Sequence, residues 1–503
     1  MAIRMTGLCE KGANQIWKQC NDALYAQGIT WLEEAAYAGD MEAWFFLGHC
    51  YSWGDGAVGF NEKKAYECYL RGASAGSARA VLGAVRAGQY DERMRTSARY
   101  TLEESYHQVR QAAEKGDIYA AWQLGEAVEW EDLVDYMPQP ESAREQCLFW
   151  YERAADGGII PAMVKMGKCY QNGTYREKDE KEAFRWANQC AASGEVWGLF
   201  QMGEHYRQEE DWEAAFQYDY AAAKQGSSRA MLYLGQMYLN GQGTERDIPA
   251  AVASLEKAAS REEPESFMEL GNLFYRDELV ERDDEQAFFW YGKAYAAGRK
   301  EAGLPLARLY LRPSDEQDVG KAEKLLKEAA QTETDGQASL ALGTLFRDGL
   351  KGESDIKEAI SWYEKGASMG NTECMEILGC LYFQGEEGVE RDYAKAFTWL
   401  SQCEKAGKLQ SCSKLAYLYM KGEGCTADEN KAKELFERAA QTECDGYALY
   451  ELGFIYERKN ESPEDLERAA QCYQKAIEMG NESASRRFSH FKKGLFGRWK
   501  ITY

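Results

Sequence analysis

Along this chain an apolar residue followed by glycine or alanine returns twelve times. The pairs are Leu47-Gly48, Leu82-Gly83, Leu124-Gly125, Met166-Gly167, Met202-Gly203, Leu234-Gly235, Leu270-Gly271, Leu306-Ala307, Leu342-Gly343, Leu378-Gly379, Leu415-Ala416 and Leu452-Gly453. Their second residues lie 35, 42, 42, 36, 32, 36, 36, 36, 36, 37 and 37 positions apart, a period that belongs to arrays of helical hairpins. Within one unit Ala230, Leu234 and Tyr238 fall on one helical face at i, i+4 and i+8. After a loop, Ala250, Ala251, Leu255, Ala258 and Ala259 predict a second amphipathic helix. Two short helices cannot each bury a stripe alone, so the hairpin is stable only against its neighbours. The recurrent glycine removes a side chain where the two helices cross. A second set, Gly39, Gly76, Gly116, Gly157, Gly194, Gly226, Gly298, Gly370, Gly407 and Gly480, follows the second helices, where a left-handed cap is expected. Pro305 sits inside an expected first helix and predicts a kink or a late start.

The segments Leu378 to Gly385 and Gly388 to Trp399 resemble the Sel-one-like repeat (SLR), a relative of the tetratricopeptide repeat. Ala230 to Gly243 with Asp247, and Leu415 to Gly424 with Asp428, Lys431 and Ala432, are similar to the same pattern. The resemblance implies an all-α fold, a right-handed α-solenoid of about twelve stacked helix-turn-helix repeats over 39–480. Residues 1–38 are then N-terminal capping helices and 481–503 a basic C-terminal capping tail. Two units carry long connections, Gly88 to Leu102 and Trp130 to Glu145, read either as binding loops or as tolerated insertions.

Charge narrows the partners. The formal net charge is −23, although Arg486 to Tyr503 hold six Lys or Arg and no acid. So acidic a body repels phosphate backbones and anionic lipid, and favours a basic protein surface; nucleic acid and membrane are not expected. The tail reads as a cover for the last apolar face through Phe488, Phe491, Leu495 and Phe496, as a segment docking an anionic surface, or as an internal ligand of the acidic groove. Fourteen cysteines fall irregularly with no C-x-x-C pair, which predicts reduced, mostly buried thiols and a cytoplasmic chain. No stretch approaches the ~18 apolar residues of a membrane span.

Motifs for chemistry are weak. Gly54 to Gly59 matches G-x-G-x-x-G but follows a helix, not a strand. The four histidines are far apart, and no nucleophile–base spacing singles itself out. Neither a cofactor nor a metal is expected, and the chain reads as no enzyme. By analogy with tetratricopeptide repeats, the inner positions lie three before, one after and four after the glycine. They are Phe45, His49, Trp122, Glu126, Glu129, Lys168, Phe200, Glu204, Arg207, Met268, Asn272, Tyr275, Arg308, Arg347, Tyr417 and Tyr450. Of these Glu126, Glu129, Lys168, Glu204, Arg207, Asn272, Tyr275, Arg308, Arg347 and Tyr417 are the candidate partner-binding residues; the aromatic members serve equally well as packing between units. The resulting expectation is a scaffold or adaptor that binds a protein or peptide on a concave, acidic surface. The alternative is an immunity or inhibitor protein that sequesters a basic toxin.

Overall fold

Helix starts are written into the sequence as side chains that take up orphan N–H groups. Asp247 accepts from the N–H of Ala250 at 2.9 Å, Asp283 from Glu285 and Gln286 at 3.0 and 2.9 Å, and Asp392 from Lys395 at 3.0 Å. Each opens the second helix of its unit: Ile248–Ala259, Asp284–Ala296 and Tyr393–Lys405. The computed structural model describes residues 5–19, 22–54, 58–130, 140–313, 317–350, 352–385, 388–407, 412–442, 445–493 and 499–502. Among these the chain is all-α apart from one short two-stranded ribbon, and the helices follow one another as stacked hairpins.

The recurrent glycines act as expected. A Cβ on Gly271 would stand 2.6 Å from the ring of Tyr291, one on Gly343 2.5 Å from Tyr363, and one on Gly453 2.7 Å from Tyr473. Gly48 faces Tyr69 and Gly125 faces Tyr151 in the same way, while Gly235 and Gly379 face Leu255 and Leu400. The aromatic ring of the second helix thus lies directly on first-helix backbone, and the propensity cost of a helical glycine, about 1 kcal/mol, is offset by that contact. At the second-helix ends, Gly76 (φ 106°) donates to the carbonyls of Gly72 and Ala73. In the third unit the left-handed residue is Gly158 (φ 90°) and not Gly157; Gly157 instead leaves room for the side chain of Ile118.

The first two helices, Gly7–Trp17 and Asp22–Tyr37, have the same construction as the later hairpins. A Cβ on Gly12 would meet Leu32 at 2.8 Å, and Gly12 lies one 36-residue period before Gly48. The two helices of the segment expected as a cap thus share the glycine-to-leucine crossing of the later hairpins. Pro305 gives the late start predicted for it. A 3-10 turn at Lys300–Ala302 precedes a first helix of only eight residues, Gly303–Tyr310. The long connection after Gly88 contains a short helix, Glu92–Ser97, while residues 131–139 of the other lie outside the described residues. Gly54 of the G-x-G-x-x-G match is the left-handed C-cap of the helix Met41–Trp53 (φ 72°); the following three residues are outside the described ones.

The chain divides into two compact units, Met1–Leu270 with Asp277–Val280, and Gly271–Arg276 with Glu281–Tyr503. In the first unit a continuous core runs from Cys9 to Cys190 and includes Trp17, Phe45, Phe46, Tyr119 and Trp122. In the second, the core runs from Ala359 through Tyr473 to Phe491. Here the helix Glu482–Phe488 leads into strand Phe491–Lys493, paired antiparallel with Trp499–Ile501. Phe491 packs on Tyr473 at 5.6 Å and Arg487 donates to the buried Glu457 at 2.8 Å. Leu495 and Phe496, named with the tail, lie outside the described residues.

None of the twelve described cysteines forms a disulfide, and nine are buried. Burial pushes the thiols of Cys68, Cys147 and Cys374 up to about 12. Among the described residues no helix is long and apolar enough to cross a membrane.

Candidate interaction sites

The positions one and four residues after the glycine have a use inside the hairpin. Where the second helix supplies tyrosine, its hydroxyl reaches one of them. Tyr151 donates to Glu129 at 2.7 Å, Tyr291 to Asn272 at 2.8 Å and Tyr473 to Glu457 at 2.6 Å. Ser52 donates to Tyr69 at 3.2 Å, and Thr344 lies 3.3 Å from the Tyr363 hydroxyl. In the fifth unit Asp219 replaces the tyrosine, fully buried against Gly203, and Arg207 pairs with it. Burial raises the Asp219 carboxyl to about 6 against the pull of Arg207.

Three candidate partner-binding residues are thereby committed to their own or an adjacent hairpin. Glu129 also holds Lys165, Arg207 lies over Tyr233 at 3.7 Å, and Asn272 receives the Tyr291 hydroxyl. Phe45, His49 and Trp122, expected on an exposed inner face, are only 1%, 6% and 3% exposed. For His49 and Trp122 the cause is the N-terminal hairpin, whose Trp17 packs on each at 5.7 Å; Phe45 instead packs between units against Gly83.

Beside that packing the first compact unit holds a cavity of about 770 Å³. Helix Met41–Trp53 brings His49 and Trp53 to it, helix Ala78–Arg86 brings Arg86, and helix Ile118–Glu129 brings Trp122 and Glu126 with Trp130 at its C-cap. The Arg86 guanidinium lies over the Trp53 ring at 4.8 Å and the Trp130 ring at 4.5 Å. Glu126 faces His49 Nε2 at 3.8 Å and keeps 21% of its side chain exposed. The rim rings Trp53 and Trp130 are 47% and 58% exposed. Sequence reasoning named Glu126 but missed both rim rings. Their signal is that each stands five residues after its glycine.

The second compact unit has a cavity of about 640 Å³ lined by Arg391, Lys414, Tyr393, Tyr417 and Tyr447 among others. Tyr417 is half-buried there, its ring 5.5 Å from Phe383. The remaining candidates are dispersed. Glu204 accepts from Gln201 at 3.3 Å in a smaller cleft with Phe184 and His205. Lys168 is exposed, Arg308 donates to Gln337 at 2.9 Å, Arg347 pairs with Asp348 at 3.1 Å, and Tyr275 lies under Arg312 at 5.0 Å. Among the described residues no group of three or more His, Cys, Asp or Glu is disposed to hold a metal ion.

Comparison with known proteins agrees with this construction. The model of the Sel1 repeat matches residues 22–40, 42–77, 118–159, 160–195, 228–262, 268–298, 336–371, 372–406, 409–441 and 446–481. The gaps at 78–117, 196–227 and 299–335 are hairpins too. They carry the long connection with its extra helix, the tight Glu209–Asp211 loop and Pro305, respectively. The chain is 29% identical over 235 residues to the ERAD-associated E3 ubiquitin-protein ligase component HRD3B of Arabidopsis thaliana, covering 44% of this chain and 37% of that protein. It is 25% identical over 279 residues to an uncharacterized protein of Neisseria meningitidis, covering 55% and 56%. The chain thus spans little more than a third to little more than half of these relatives. A solved protective antigen of uropathogenic Escherichia coli strains, with an SLR fold, superposes with a TM-score of 0.65 at 21% identity over 94% of this chain and 99% of its own.

Proposed function

This chain belongs to the Sel1 repeat family, and from that premise we propose that it is a non-enzymatic scaffold or adaptor that binds a partner protein presenting a basic surface. One observation carries the reading. In the first compact unit, side chains from several successive helices converge on a single large cavity with exposed tryptophans at its rim and a carboxylate inside. Aromatic anchors ringed by charge are what a protein hot spot needs. The formal charge of −23 supports a basic partner by steering it at long range. The plant relative, named as a ligase component, supports a place inside an assembly.

The test is capture from lysate of the source organism at low and at moderate salt, by the wild-type chain and by the E126K/E204K variant. Charge steering predicts a stoichiometric basic protein whose capture weakens as salt rises and falls with the double reversal, while helical circular dichroism is unchanged. Equal capture by the variant removes these two carboxylates from the site.

A further inference from the structure

The cavity of the first compact unit has a more specific chemistry than a general protein surface. We propose that it receives an arginine side chain of a basic partner protein, an inference that rests on the scaffold reading. Four of the fourteen tryptophans of the chain, Trp17, Trp53, Trp122 and Trp130, line this one space. Tryptophan faces are the strongest aromatic partners of cations. The walls already show what they accept: the planar guanidinium of Arg86 is held over Trp53 and Trp130 at 4.8 and 4.5 Å. Both rings remain about half exposed, so each keeps open area for a second cation.

Glu126 supplies the counter-charge. Its carboxylate lies within the cavity, partly exposed, and its ion-pair neighbour His49 carries a full positive charge only when protonated. A guanidinium suits this place better than an ammonium, because it is planar, stacks on rings and gives up its water more readily. A carboxylate can accept it through two parallel hydrogen bonds. At long range a chain of net charge −23 attracts a basic protein, while the cavity lining itself carries Arg86 and Lys224 beside Glu126 and Glu195.

The experiment is a tryptophan-fluorescence titration of the full chain with a short, end-capped glycine–serine peptide carrying one central arginine. The matched peptide carries citrulline, which keeps the shape and loses the charge. The arginine peptide should give a saturable change and bind about tenfold more tightly than the citrulline peptide. E126Q and W130A should each weaken it severalfold, with K257Q, on an exposed lysine of the helix Ile248–Ala259 that does not line the cavity, as the unchanged control. Equal affinity for the two peptides, no saturable response, or indifference to both cavity variants overturns the proposal. Trp130 is exposed, so its truncation leaves the fold intact, and circular dichroism checks this. Retained protein capture by an E126Q/W130A chain sinks the arginine site and leaves the scaffold reading standing. A specific peptide response with no protein captured does the reverse.

Discussion

At Gly271 a single missing methyl group sets how closely two helices approach. Alanine in place of a helical glycine ordinarily gains about 1 kcal/mol. Here its Cβ would stand 2.6 Å from the buried Tyr291 ring, and overpacking of a filled core costs ~1–3 kcal/mol. The second effect wins, so Gly271→Ala should lower the midpoint of urea unfolding. An increase would show that the ring yields. Arg207→Ala should cost more, about 3–5 kcal/mol, because it strands the buried Asp219 charge without its partner; denaturant titration of the variant measures it. These residues also show where the sequence misled. Spacing put Glu129, Arg207 and Asn272 correctly next to the crossing glycine. It could not tell an outward side chain from one claimed by a second-helix hydroxyl or carboxylate, because that depends on a residue 12 to 22 positions away.

Elements were more legible than side chains. Eleven glycine or alanine intervals and the apolar helical faces made the hairpins readable, because crossing is a local demand. The first hairpin was read as capping helices and not matched to the repeat for an equally local reason: Lys11 stands before Gly12 where other units have Leu or Met. Its consequence was not local, since Trp17 turned an expected open face into core. The same region holds a joint of four helices. Asp40 takes the N–H of Thr6 at 2.6 Å and of Glu42 at 3.0 Å, and the fully buried Arg79 lies between Glu42, at 3.9 Å, and Asp117. Burial raises the Glu42 carboxyl to about 7, despite Arg79. Because the folded value lies above the unfolded one, this group's contribution to stability is full below about 4.5 and is lost as pH rises through about 7. Glu42→Gln should therefore flatten the stability profile across that window. A wild-type slope that survives the substitution would assign it to other groups.

Within each compact unit the hairpins touch chiefly their neighbours in sequence, and the chain separates into two such units. Nearest-neighbour arrays and multi-unit chains depart from all-or-none unfolding. Scanning calorimetry should accordingly give a van't Hoff enthalpy clearly below the calorimetric one; equality would make the whole chain a single cooperative block. Net charge, read from composition, belongs to this scale, whereas the cavity depends on folding: Trp17, Trp53, Arg86, Trp122 and Glu126 come from four helices. The tyrosine-on-glycine fit has a further consequence for the gene. Ser52, Glu129, Asn272, Thr344 and Glu457 each serve the tyrosine of one second helix, so each of these five hairpins is a privately matched pair. Recombination that exchanges whole hairpins preserves those matches, while a crossover inside one sets a ring against a stranger. The near-identical octapeptides at 329–336 and 439–446, three periods apart in the sequence, are the kind of repeat at which such a gene can lengthen by whole periods without mismatching a pair.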